Sequence, residues 1–111
     1  SVFASNYDMI KDSAKAVHEY AQTKLRLSMS SASRDRATKR RLTRDAIELL
    51  RRAIQLSDDR VRNAWCYFDL AKALTWLKAP DTEIRQAYEK ALELQPNEPR
   101  FSESFEDWER K

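Results

Sequence analysis

The chain has 111 residues, enough for one domain with one modest core, and a formal net charge of +3. It contains no Gly, which disfavours hairpin-rich β structure and excludes a glycine-based phosphate loop. Charged residues make up 35% of it, and its apolar runs are far too short to cross a bilayer.

No signal peptide is visible. The lone Cys66 has no partner for an internal disulfide and fits a reducing compartment, so the expectation is a cytoplasmic protein. The opening Ser1-Val2, without Met, points to a piece excised from something larger. The charge is unevenly spread. Residues 34–52 hold eight basic and three acidic side chains, and residues 81–111 hold five basic and nine acidic. A basic centre and an acidic tail can attract each other within or between molecules, or can simply be two solvated faces.

The first predicted helix covers about 5–28. Ser5 followed by Asp8 resembles a capping box, and Ile10, Ala14, Val17, Ala21 and Leu25 form an apolar stripe. Residues 28–33, SMSSAS, read as a connector. A second helix is predicted over about 34–57, with Leu42, Ala46, Leu49, Leu50, Ala53 and Ile54 as its stripe. Residues 34–41 offer only Ala37 for burial and are either a basic overhang of this helix, with Ser33 as its cap, or loop. Asp58 and Asp59 mark a turn and cap a third helix, about 60–78. Twelve of the seventeen residues from Val61 to Leu77 are apolar, as in a helix buried between neighbours, with Arg62, Asp69 and Lys72 as a thin polar edge. Pro80 ends it, and Asp81 is the expected cap of a fourth helix over about 82–95, striped by Ile84, Ala87, Tyr88, Ala91 and Leu94 and stopped by Pro96. Within it Arg85 and Glu89 have the spacing of an i,i+4 ion pair. A fifth helix, about 98–110, places Phe101, Phe105 and Trp108 on one side and charged residues opposite, as the last element of a stack requires.

AIELLRRAIQLSD at 46–58 and IRQAYEKALELQP at 84–96 match at an offset of 38 residues: Ala46 with Ile84, Leu50 with Tyr88, Ala53 with Ala91, Ile54 with Leu92, Leu56 with Leu94. AYEKALELQP resembles the second helix of a tetratricopeptide repeat with its closing Pro. In the third helix Leu70-Ala71 resembles the consensus pair of Leu and a small residue, and Tyr67 takes the place of the consensus Trp. The offset is longer than the usual repeat of about 34 residues. The resemblance covers about 46–96, with Tyr20 and Ala21 of the first helix at plausible places. It implies an all-α fold: antiparallel helix pairs stacked as a short tetratricopeptide-like α-solenoid with a C-terminal capping helix. A simple three- or four-helix bundle is the alternative.

The resemblance also implies a scaffold for protein–protein contact, with a concave groove lined by the first helix of each pair. Carried onto this chain, the partner-binding groove would hold Trp65, Phe68, Lys72 and Trp76 on the third helix and Lys15, His18, Gln22 and Arg26 on the first. Asp69 stands where the family's carboxylate clamp uses Asn, which argues against a chaperone-tail ligand. The ordinary alternatives are that Trp65 and Phe68 are core residues covered by the first helix and that the polar four are a solvated face.

A second signal is the basic patch Arg34, Arg36, Lys39, Arg40, Arg41 and Arg44, six cations in eleven residues. It could neutralise phosphates in a nucleic-acid-binding accessory domain of a larger enzyme, or dock an acidic partner, including another copy. No aromatic is interleaved with it for base stacking. His18 has no His or Cys at metal-ligand spacing and reads as a solvent or partner contact. Cys66, in the most apolar helix, reads as packing. With no nucleophile elbow, metal box or acid pair in apolar context, the expectation is a non-enzyme without cofactor or metal that meets a protein or peptide partner, away from membranes, and that could self-associate.

Overall fold

A computed structural model describes the backbone of residues 2–29 and 35–110, and the side chains of 14–29 and 35–110. Five helices make it up: α1 (Val2–Met29), α2 (Arg36–Leu56), α3 (Arg60–Trp76), α4 (Asp81–Leu94) and α5 (Pro99–Arg110). The fold is all-α. Helices α1 and α2 pack as one pair and α3 and α4 as the next, α3 also lies against α2, and α5 covers the end of the stack. Contacts run mainly between neighbours in this order. Among the described residues α1 makes no substantial packing against α4, which separates the arrangement from a closed four-helix bundle.

Local chemistry sets most of the boundaries. Asp35 caps α2, its carboxylate accepting from the backbone N–H of Ala37 at 3.0 Å and from the hydroxyl of Thr38 at 2.9 Å. These hydrogen bonds, that of Thr38 first, hold its carboxyl below the usual carboxylate range. The cap is therefore Asp35, not Ser33, which lies outside the described residues as does Arg34. Residues 36–41 are helix, so the basic overhang is the version that forms. Asp59 caps α3 by accepting from the backbone N–H of Arg62 at 3.2 Å.

The third helix stops at Trp76, two residues short of the prediction. Lys78 takes φ 58°, and the N–H of Ala79 donates to the carbonyl of Leu74 while that of Lys78 donates to Thr75. This is a Schellman closure, in which the left-handed position normally belongs to Gly. Asp81 does not cap α4. It is the first helical residue, after Pro80 whose position has no side-chain cap. There Asp81 and Glu83 instead complement the positive end of the helix dipole. Helix α1 begins at Val2, upstream of Ser5, so Ser5 is not its cap; the side chains of Ser5, Asp8 and Ile10 lie outside the described residues. Of the predicted connector, Ser28 and Met29 complete α1, and 30–33 lie outside the described residues.

The core runs through both pairs. Ala21 and Leu25 of α1, Ala46, Leu50 and Ala53 of α2, Ala64, Cys66, Phe68, Leu70, Ala71 and Leu74 of α3, and Ile84, Ala87, Tyr88 and Ala91 of α4 are all buried. The two halves of the sequence repeat share burial at most of the matched positions, though Ile47 is buried where Arg85 is exposed. Ala46 and Ile84, Leu50 and Tyr88, and Ala53 and Ala91 are buried in register, and Ile54 and Leu92 are half-buried in register. Tyr20 beside Ala21 is exposed.

Helix α5 closes the stack with aromatics. Phe101 is fully buried, with its ring 4.8 Å from that of Trp65 and 4.9 Å from that of Phe68. Phe105 stacks on Tyr88 at 5.3 Å. Burying such a ring is worth about 1.5–3 kcal/mol before specific geometry adds to it. The expected Arg85–Glu89 pair gives way to a contact between helices. The Arg85 guanidinium lies 3.0 Å from Glu109 and sits over the rings of Phe105 and Trp108 at 5.6 and 5.2 Å. The cross-helix carboxylate and two ring faces hold it better than one neighbour on the same exposed face.

Candidate functional site

The predicted groove residues separate into three groups. Phe68 is buried in the core. Trp65 is half-buried, but α5 covers it rather than α1, and the Arg100 guanidinium lies 5.8 Å from its ring centroid. Neither offers a face to a ligand, because a terminal helix supplies the partner that a further repeat would otherwise supply. Sequence spacing could not show that α5 folds back onto Trp65.

His18 is only 5% exposed and is not a solvent or partner contact. Its Nε2–H donates to Oδ2 of Asp69 at 2.9 Å, and Nη1 of Arg62 lies 3.5 Å from its Nδ1. Gln22 donates to the same Asp69 oxygen at 3.3 Å. The polar edge of α3 is thus turned inward as a clamp onto α1. A His–Asp pair can orient a general base, but here a guanidinium, not a nucleophile, stands at the other ring nitrogen. Cys66 offers none either: burial, with a smaller contribution from the Asp69 carboxylate, pushes its thiol up to about 12. Among the described residues no group of three or more His, Cys, Asp or Glu side chains is placed to hold a metal ion, and no helix is long and apolar enough to cross a membrane.

The third group is open. Lys15 and Arg26 are exposed on α1. On α3, Lys72 is half-buried with its ammonium 4.9 Å from the Phe68 ring centroid, and Trp76, one turn on, is 40% exposed. Trp76 does not lie among the other groove residues. It lines a cleft of about 470 Å³ at one end of the helix pairs, where the end of α1, the start of α2 and the α3–α4 turn meet. Ser28 and Met29 come from α1, Arg36, Lys39, Arg40 and Thr43 from α2, and Leu77 and Lys78 from the turn.

Its chemistry is one-sided. Trp76, Met29 and Leu77 give an apolar floor. Arg36, Lys39, Arg40 and Lys78 give four cations, and among the described residues no carboxylate lines the cleft. Among the described residues none of the four is in an ion pair. The hydroxyls are spent on the backbone: Ser28 donates to Leu25 at 2.7 Å and Thr43 to Lys39 at 2.8 Å. Three of the cations sit near the start of α2, whose first turn holds no acid. The helix dipole opposes cations there by about 0.3–1 kcal/mol each at exposed positions. Arg41 and Arg44, also of the predicted patch, are exposed outside this lining; Arg44 joins Arg40 along the neighbouring groove, which Glu48 and Glu83 also line.

Comparison with models of protein families, with curated proteins and with solved structures finds no match to this chain. The site therefore stands on its own residues. Two sequence signals that looked separate, the groove-facing Trp76 and the basic segment, are neighbours in space. The signal that could have joined them is that a chain turning back after α1 and again after α3 brings the start of α2 beside the end of α3.

Proposed function

We propose that the chain is a partner-recognition module of tetratricopeptide-like helix pairs, which captures a protein segment at the Trp76 end of α3. The observation that carries this reading is the exposure of Trp76 at the end of a helix whose middle is buried between neighbours, in the apolar part of a cleft that also holds cations. Large aromatics and Arg are the residue types that dominate recognition energetics. A stack of packed helices holds their backbone in place, so the ordering cost on binding falls on side chains alone. The two-pair stack with its polar cap, and the sequence resemblance of 46–96, favour the same role.

Selection of short random peptides against the chain tests it. Enriched peptides should lose most of their affinity when Trp76→Ala and Met29→Ala, both exposed in the cleft, are combined, with the helical circular dichroism unchanged. Peptides that bind the double variant as well as the parent would remove this site from the reading. The nucleic-acid reading gains from Trp76 beside the basic turn of α2, but in the adjoining groove Glu48 and Glu83 interrupt the cations Arg40, Arg44 and Arg51.

A further inference from the structure

We infer that the Trp76 cleft selects acidic segments: an aliphatic or aromatic side chain against Trp76, Met29 and Leu77, followed by carboxylates that reach Arg36, Lys39, Arg40 and Lys78. This rests on the partner-recognition reading above and adds the chemistry of the partner. Four cations from two elements converge on one cleft, among the described residues no acid lines it, and its two hydroxyls already donate to backbone carbonyls. A neutral polar ligand would find few free groups to read it, whereas carboxylates would find charge-assisted donors, two of them guanidinium forks.

The cations are also held where the fold disfavours them. Arg36 and Lys39 stand near the positive end of the α2 dipole, which the capping carboxylate of Asp35 only partly offsets, and Lys78 occupies a left-handed backbone position that a Gly would take without strain. From Arg36 to Arg44 is eight steps of helix, about 12 Å of axis, and in the adjoining groove Glu48 and Glu83 are interleaved with Arg44 and Arg51. An uninterrupted field that short suits a few charges in a peptide. A polynucleotide would meet acids as well as cations there, and Trp76 has no second aromatic in the cleft to continue a stack of bases.

Short random peptides are selected against the 111-residue chain, sequenced, and measured by fluorescence polarisation. Enriched peptides should pair an apolar residue with at least two Asp or Glu. Their Asn/Gln versions should bind at least tenfold more weakly, and so should the acidic originals to the Arg36→Glu/Arg40→Glu variant, whose exposed substitutions leave the helical signal intact. Affinity should fall as salt rises, because rim charges are screened. Enriched peptides without acids, or acid-to-amide versions that bind equally well, overturn the inference and leave the recognition module standing. An oligothymidine strand that binds more tightly than the acidic peptides, and loses affinity in the Arg36→Glu/Arg40→Glu variant, also overturns it. No enrichment at all removes the module reading itself.

Discussion

Nε2 of His18 lies 2.9 Å from Oδ2 of Asp69, and together with the Gln22 contact to the same oxygen it ties the first helix of one pair to the first helix of the next. Apolar packing between α1 and α3 is thin compared with that between α2 and α3, so the stacking of the pairs along this seam leans on a polar clamp. His18→Ala removes a buried donor and leaves the Asp69 carboxylate short of a partner, a loss of about 1–3 kcal/mol. Asp69→Ala should cost a similar amount. The double variant should be less destabilised than the sum of the two, by more than about 0.5 kcal/mol, because they share one interaction. Urea denaturation of the four proteins measures this, and strict additivity would mean that the clamp contributes nothing.

Alkaline pH should weaken the fold through Cys66. Its thiol is pushed up to about 12 from an ordinary 9.0, chiefly by burial. The folded state therefore holds its proton more tightly than the unfolded state. The associated stability is complete below about pH 9 and is lost as pH climbs toward 12, with a slope approaching about 1.4 kcal/mol per pH unit. Tyr88, raised by burial and by Asp107, acts in the same direction. Urea midpoints should fall between pH 8 and pH 10.5. Cys66→Ala should flatten that fall without abolishing it, and the native thiol should resist alkylation until denaturant is added.

Where the sequence was legible, periodicity carried it. The repeat at an offset of 38 places Leu50 and Tyr88 in equivalent buried positions because burial on a helix follows from spacing alone. Asp59 was readable as a cap because its action is local. What escaped was long-range. His18 looked like a flank residue because Asp69, which buries it, lies 51 positions away. Arg85 pairs with Glu109 across helices instead of Glu89 along one. The cleft escaped for the same reason: Arg36 and Trp76 stand 40 positions apart, and only the turn of the chain unites them. The left-handed position fell on Lys78 because the chain has no Gly to mark it.

Lys78 gives a prediction in which stability and binding move in opposite directions. A non-Gly residue at φ 58° carries a cost of about 1–2 kcal/mol from its Cβ against the backbone. Lys78→Gly removes that cost, less the extra entropy of Gly in the unfolded chain, and should stabilise by about 1 kcal/mol. Lys78→Ala keeps the Cβ and should gain almost nothing. Both lose the cation, and both should bind acidic peptides more weakly than the parent. Thermal melts of the pair separate backbone strain from charge; equal melting temperatures would show that the turn stores no strain.

The role of α5 as a cap is open to direct attack at Phe101. Its ring is fully buried between Trp65 and Phe68, and replacement by Ala opens a void that the short helix closes only by detaching. Phe101→Ala should cost about 3–5 kcal/mol, and Phe101→Leu, which keeps much of the volume, noticeably less. Detachment would leave Trp65, and Trp108 of α5 itself, in water, so the tryptophan fluorescence should move to longer wavelength in the Ala variant before global unfolding begins. The Arg85 guanidinium would lose Glu109 and two ring faces at the same time, so Arg85→Ala should add little further destabilisation in that background. A Phe101→Ala protein within about 1 kcal/mol of the parent, with unshifted fluorescence, would mean that α3 and α4 hold their exposed seam without α5.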